Sequence, residues 1–270
     1  MQGPIINRQT FWQRVRQLLA PIAVAVATAG KWLLPALKFG LPLIKMGGFM
    51  FLSLFIYARA FGWPFAAGFI VLLFIHETGH LLAARMVGLK VGLPVFIPFM
   101  GAVIALKEAP RNAWIEAVVG IGGPILGSLG ALAVASCYFL AWQPIFLFLG
   151  YIGFILNLFN LIPIVPLDGG RIVSAISPWL WLVGLAILAG FFILHFNSLN
   201  PITLIIIVFI VLSSIRRVFA LFRRRTAEEM RYFECSAAQR WIMGLLYFGL
   251  AGSLFIGMGI LKSLMPPGAF

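Results

Sequence analysis

Charge is scarce in this sequence. Only 10% of its 270 residues are Asp, Glu, Lys or Arg, and the acids number seven against twenty basic residues. A soluble globular domain could not cover its surface with so little polarity, so that class is excluded. Thiols are equally few. Cys137 lies in an apolar stretch and Cys235 in a polar one, so neither a disulfide between them nor a cysteine-based zinc framework is expected. Histidine occurs three times. What fills the chain instead is apolar: 62% of it is hydrophobic. Several apolar runs approach or exceed the ~18–20 residues a helix needs to cross ~30 Å of hydrocarbon. The expected class is an all-α polytopic membrane protein with the lipid bilayer as its solvent.

The net charge of +13 would suggest a nucleic-acid partner in a soluble protein. Here the basic residues fall between apolar spans, where such residues set topology and meet anionic headgroups. No nucleic-acid partner is expected.

The pattern predicts about seven transmembrane helices, within a range of six to eight. They lie near 46–61, 64–86, 115–141, 144–162, 179–196, 201–222 and 241–262. Gly62-Trp63-Pro64, Trp142-Gln143-Pro144 and Asn200-Pro201 mark the joints, since proline suits a first helical turn. With the N-terminus in the cytoplasm, seven alternating spans place eighteen Lys and Arg residues inside. Only Arg59 and Lys262 remain outside. That asymmetry is what the positive-inside rule requires. Residues 1–45 read as an N-terminal interfacial segment, because Phe11, Trp12, Val15, Leu18 and Leu19 recur at helical spacing. A signal peptide is the weaker reading, as the later spans already supply insertion signals. Residues 46–222 form the membrane domain. Residues 223–240 form a cytoplasmic loop in which Arg223, Arg224 and Arg225 precede Glu228, Glu229 and Glu234. Residues 241–270 carry the last transmembrane helix.

Residues 91–106 are apolar yet broken by Gly92, Pro94, Pro98 and Gly101. A spanning helix does not tolerate that, and water does not suit it. A small membrane-associated β-hairpin is predicted, turning near Phe99, Met100 and Gly101 and buried against protein or a cavity.

Two of the three histidines and one acid fall together, as His76-Glu77-Thr78-Gly79-His80 inside the second span. Spacing i, i+4 puts both imidazoles on one helix face, within reach of one metal ion. A carboxylate between them is placed to take a proton from water at that metal. Ionisable groups are costly within a membrane and persist mostly where they pair, bind ions or do chemistry. A catalytic zinc takes three protein ligands plus water. The candidates for the third include Glu116, His195 and Asp168. Asp168 follows the fourth span at its inner end, a depth that matches His76 and His80. The carboxylate di-iron pattern is excluded, since no second E-x-x-H exists. A divalent-metal transporter would use the same ligands, but it needs polar residues continuing outward, and the outer halves offer little beyond Arg59 and His195.

H-E-x-x-H in one span, followed by Asn160-Leu161-Ile162-Pro163-Ile164-Val165-Pro166-Leu167-Asp168-Gly169-Gly170, resembles the site-2 protease family of intramembrane metalloproteases. The likeness covers roughly residues 64–176, the family's three-helix catalytic core. It implies a multi-pass protein of the prokaryotic cytoplasmic membrane that binds one zinc ion per chain. That protein would hydrolyse peptide bonds in transmembrane protein substrates. It further implies His76, His80 and Asp168 as zinc ligands, Glu77 as the catalytic base, and Asn157 and Asn160 as substrate-side residues. One departure stands out. Many relatives carry G-P-x-x-N in the middle core helix, whereas Gly123-Pro124-Ile125-Leu126-Gly127 ends in glycine here. The polar contact of that asparagine is then lost or taken over by Ser128. Gly120, Gly122, Gly123, Gly127 and Gly130 are expected to permit close helix packing.

Overall fold

The computed structural model describes residues 49–97, 101–106, 108–195 and 201–266. The interfacial helix expected within 1–45 lies outside these residues, as do Phe99 and Met100 of the expected turn.

The chain begins with α1 (Phe49–Phe61) and α2 (Trp63–Met86). Between them stands Gly62 at φ +87°, a left-handed conformation that favours glycine, and Pro64 follows in the first turn of α2. Next come two short strands, β1 (Val91–Ile97) and β2 (Gly101–Leu106), paired antiparallel with Val95 opposite Val103 and Ile97 opposite Gly101. The register is irregular between Val91 and Pro94, and proline has no N–H to give the ladder. Helix α3 (Ala113–Ser136) starts where the Asn112 side chain accepts the Ile115 N–H at 2.9 Å. A turn of helix, α4 (Tyr138–Ala141), extends it towards α5 (Pro144–Asn160). A loop of seven residues then leads into α6 (Asp168–Ile176). The rest is α7 (Leu180–His195), α8 (Pro201–Ala220), α9 (Ala227–Tyr232) and α10 (Ala237–Leu264). Reciprocal capping boxes, Thr226 with Glu229 and Ser236 with Gln239, define the starts of α9 and α10.

Among the described residues, four helical stretches are long and apolar enough to cross a membrane: Trp63–Met86, Ala113–Ala141, Thr203–Ala220 and Ala237–Leu264. Three further apolar helices, Phe51–Phe61, Pro144–Asn160 and Leu180–His195, are shorter. At ~1.5 Å per residue, a helix the length of Pro144–Asn160 falls somewhat short of the hydrocarbon thickness. The apolar helices coincide with the stretches read from the sequence, and four of them have the length of a crossing. Large apolar side chains such as Phe51, Leu140, Leu194 and Trp241 point outward, as they do where lipid is the solvent.

Helix α3 is the centre of the fold. Ala113, Ala117, Ile121, Ala131 and Ala135 are buried against Leu72 of α2, Leu147 and Phe154 of α5, and Ile172 and Val173 of α6. The small residues matter because helices in lipid associate through close packing rather than water exclusion. The tightest crossing is between α2 and α3. A Cβ placed on Gly79 would lie 2.2 Å from the Gly122 carbonyl oxygen, so the two backbones touch. This crossing sets the position of the histidine-bearing turn.

Candidate metal centre

His76 and His80 lie one turn apart in the C-terminal half of α2, and both are buried. Their rings face the start of α6, where Asp168 is the first helical residue. His76 Nε2 and His80 Nε2 each stand 3.1 Å from Asp168 Oδ2, and 3.1 Å from one another. The three atoms thus form a nearly equilateral triangle, although Asp168 is 92 positions from His76 in the chain.

What the far sides of the imidazoles do decides how this triangle reads. Asn157 of α5 orients its amide by donating from Nδ2 to the Gly153 carbonyl at 2.7 Å. Its Oδ1 then faces His76 Nδ1 at 2.8 Å, which must be the N–H that donates to it. His80 Nδ1 donates likewise to the Val119 carbonyl of α3 at 2.8 Å. In the neutral imidazoles both Nε2 atoms are then acceptors. In that state two lone pairs and a carboxylate oxygen converge on one point, a set that a cation in their midst would hold together.

Zinc suits this donor set. With bonds of ~2.0–2.2 Å, the edges of a tetrahedral zinc site are about 3.3 Å, close to the separations here. Two imidazoles held from behind by the Asn157 and Val119 carbonyls, with one carboxylate, would leave a fourth position for water, as a catalytic zinc requires. Room for the ring of His80 comes from α3. A Cβ on Gly123 would lie 2.2 Å from His80 Nε2.

Glu77 is buried beside the histidines, 9% exposed, within electrostatic range of His80, His76, Asp168 and Arg171. Arg171, one turn beyond Asp168, reaches towards the other carboxylate oxygen at 3.9 Å. Asn160 lies at the end of α5, where its amide donates to the Leu156 carbonyl. Ser128 donates to the Pro124 carbonyl of its own helix.

Glu116, the alternative third ligand, faces elsewhere. Its buried carboxylate accepts from Tyr232 at 2.8 Å and Arg217 at 3.2 Å, and Ser174 stands 3.5 Å away. His195 bonds to the Phe191 carbonyl at the end of α7. Neither joins the His76–His80–Asp168 cluster, the one such group found among the described residues.

Sequence reasoning missed the residues that hold Asp168 in place. Tyr247 of α10 donates to the Leu161 carbonyl in the loop before α6. Trp181 Nε1 donates to the Gly170 carbonyl, and Arg240 to the Ile176 carbonyl at the far end of α6. Each bonds a backbone oxygen, which leaves no mark on the residue it holds. The only signal was a polar side chain in or beside an apolar run.

Comparison with known proteins places the same residues in one context. Residues 64–143 and 128–183 match Peptidase family M50. A zinc metalloprotease of Methanocaldococcus jannaschii is 33% identical over 121 residues, covering 42% of this chain and 35% of that protein. A putative zinc metalloprotease of Synechocystis is 34% identical over 127 residues, 43% of this chain and 33% of that one. The putative zinc metalloprotease Rip3 of Mycobacterium tuberculosis is 32% identical over 136 residues, 44% and 32%. The matched segment thus spans about a third of the length of these curated relatives. The transporter alternative finds no support among them. Residues 64–183, which carry His76, Glu77, His80 and Asp168 together, are thus similar to Peptidase family M50.

Proposed function

We propose that this protein is an intramembrane zinc metalloendopeptidase that hydrolyses peptide bonds of membrane-spanning protein substrates. The observation that carries the reading is the convergence of His76 Nε2 and His80 Nε2, on a helix apolar enough to cross a membrane, with Asp168 Oδ2 at the start of α6. Zinc held there supplies a Lewis acid that polarises the scissile carbonyl and activates water. The chain's own residues do the rest.

His76, His80 and Asp168 are the ligands, and the hydrogen bonds behind the imidazoles keep both Nε2 atoms aimed inward. Glu77 takes the proton from the attacking water and delivers it to the leaving amine, so that a neutral amine departs. A helical substrate has its carbonyls hydrogen-bonded, and it must unwind locally before one is open to attack. The paired strands β1 and β2 form a small membrane-associated hairpin whose free edge suits an extended segment. Asn160, at the end of α5, lies on the substrate side. Arg171 lines a polar approach for water from the cytoplasmic face. The seven apolar helices all cross, with the N-terminus inside, an arrangement supported by the eighteen-to-two split of Lys and Arg.

The test is Glu77→Gln in the purified protein with a co-expressed single-span substrate. Loss of cleavage by ~10²–10⁴-fold with zinc retained is expected for removal of a general base. Cleavage at the wild-type rate would overturn the mechanism.

A further inference from the structure

Asn157 was expected near substrate, yet it is 1% exposed and stands behind the metal cluster. Its two polar atoms are both committed, Nδ2 to the Gly153 carbonyl and Oδ1 to His76 Nδ1. The volume it fills is taken from α3. A Cβ added at Gly127 would lie 2.4 Å from Asn157 Oδ1 and 3.0 Å from its Nδ2. A side chain at 127 would displace the Asn157 amide from where it now stands.

The 2.4 Å figure has a second meaning. In an asparagine, standard bond lengths put Oδ1 about 2.4 Å from its own Cβ. A side-chain amide rooted at 127 would therefore be able to set its oxygen where the Asn157 oxygen now stands, 2.8 Å from His76 Nδ1. One carbonyl position behind His76 is reachable from two helices, and only one can supply it at a time.

We infer that Asn157 is the positioning residue that selects the metal-binding tautomer of His76, and that Gly127 is its obligate vacancy, so that positions 127 and 157 are interchangeable sources of a single carbonyl. The inference rests on the proposal that His76, His80 and Asp168 hold zinc. Without an acceptor at this point, His76 Nδ1–H is buried and unpaired. The proton then shifts to Nε2 or the ring turns, and either outcome removes a ligand.

The experiment measures zinc affinity by chelator competition, together with the visible spectrum of the cobalt-substituted protein, in detergent-purified full chain. Asn157→Leu keeps the branched outline, with bulkier ends, and removes the acceptor. It should weaken zinc binding ~10–100-fold, the usual effect of losing the hydrogen-bond partner behind a metal-binding imidazole. Gly127→Asn alone should also lose affinity, because two amides compete for one space. Asn157→Ala combined with Gly127→Asn should return zinc affinity and the cobalt spectrum close to wild type, a rescue that a purely structural role does not produce. Unchanged affinity in Asn157→Leu, or a double variant no better than Asn157→Ala, overturns the inference. Should Asn157→Leu fail to fold, the comparison of Asn157→Ala with the double variant decides alone. A wild-type chain that takes up no zinc, or an Asp168→Ala variant that takes it up equally, overturns the parent proposal instead.

Discussion

The hydroxyl of Tyr232 donates to Glu116 Oε2 at 2.8 Å, across 116 positions of chain. The bond ties α9, which follows the basic run, to the first turn of α3. The same carboxylate holds Arg217 of α8, whose guanidinium also lies over the Trp181 ring at 5.7 Å. Trp181 in turn bonds the Gly170 carbonyl of α6. A buried acid outside the metal centre thereby joins the loop region to the helix that begins at Asp168.

Glu116→Gln should destabilise the protein by on the order of 1–3 kcal/mol. That is less than a fully buried pair would cost, because the Arg217 side chain is 39% exposed. Denaturant unfolding in detergent checks the value. No change would mean that the network carries no net stability.

Stability should also fall at alkaline pH. Burial, and then the negative charge of Glu116, push the Tyr232 hydroxyl above its usual value. Below pH ~10 the phenol is protonated whether the chain is folded or not, and its contribution is complete. Above that pH the unfolded chain releases the proton while the folded chain keeps it, so stability declines as pH rises. Protection of residues 221–236 from hydrogen exchange, relative to the intrinsic rate at each pH, should fall above pH ~10 in the wild type. The effect should be smaller in Tyr232→Phe; an equal fall in both would contradict it.

Metal removal is expected to loosen the core. Stripping zinc with a chelator leaves three acceptors 3.1 Å apart and discards the binding term in stability, about 4 kcal/mol at a thousandfold excess over Kd. A reversible drop in Tm, restored by zinc, is the expected reading. Asp168→Ala should lose most of its zinc and show little further drop on chelation. A chelator effect as large as in the wild type would remove Asp168 from the ligand set.

Gly123→Ala tests the contact between α3 and His80, one of the proposed ligands. The added Cβ would meet His80 Nε2 at 2.2 Å, so the ring or the helix must move. Overpacking of this kind costs ~1–3 kcal/mol, and zinc occupancy should fall with it. Gly259→Ala, where the added atom meets nothing, is the matched control. Equal zinc in the two variants would show that the crossing is more yielding than its distances imply.

The membrane class, the positions of the apolar helices and the His76–Glu77–His80 turn were legible in the sequence. Hydrophobic length and i, i+4 spacing are local quantities, and they survive without knowledge of the fold. The close packing foreseen for the glycines of α3 is also present, at Gly122 against Gly79. Helix lengths were less legible. Phe51–Phe61, Pro144–Asn160 and Leu180–His195 are shorter than a crossing, whereas the sequence pattern predicts a span at each.

By itself, then, the sequence determined that this chain prefers lipid to water and that two imidazoles share one face of a helix. It also placed Asp168 at a matching depth. Only the tertiary structure decided that Asp168 Oδ2 meets both Nε2 atoms at 3.1 Å, and that Glu116 belongs to a different network. It alone assigned the Nδ1 protons, through Asn157 and the Val119 carbonyl. The reason is physical. Ligand identity follows from side-chain chemistry, which is written in the sequence. Ligand direction follows from hydrogen bonds to atoms 39 and 81 positions away, one of them a backbone oxygen that any residue would have supplied.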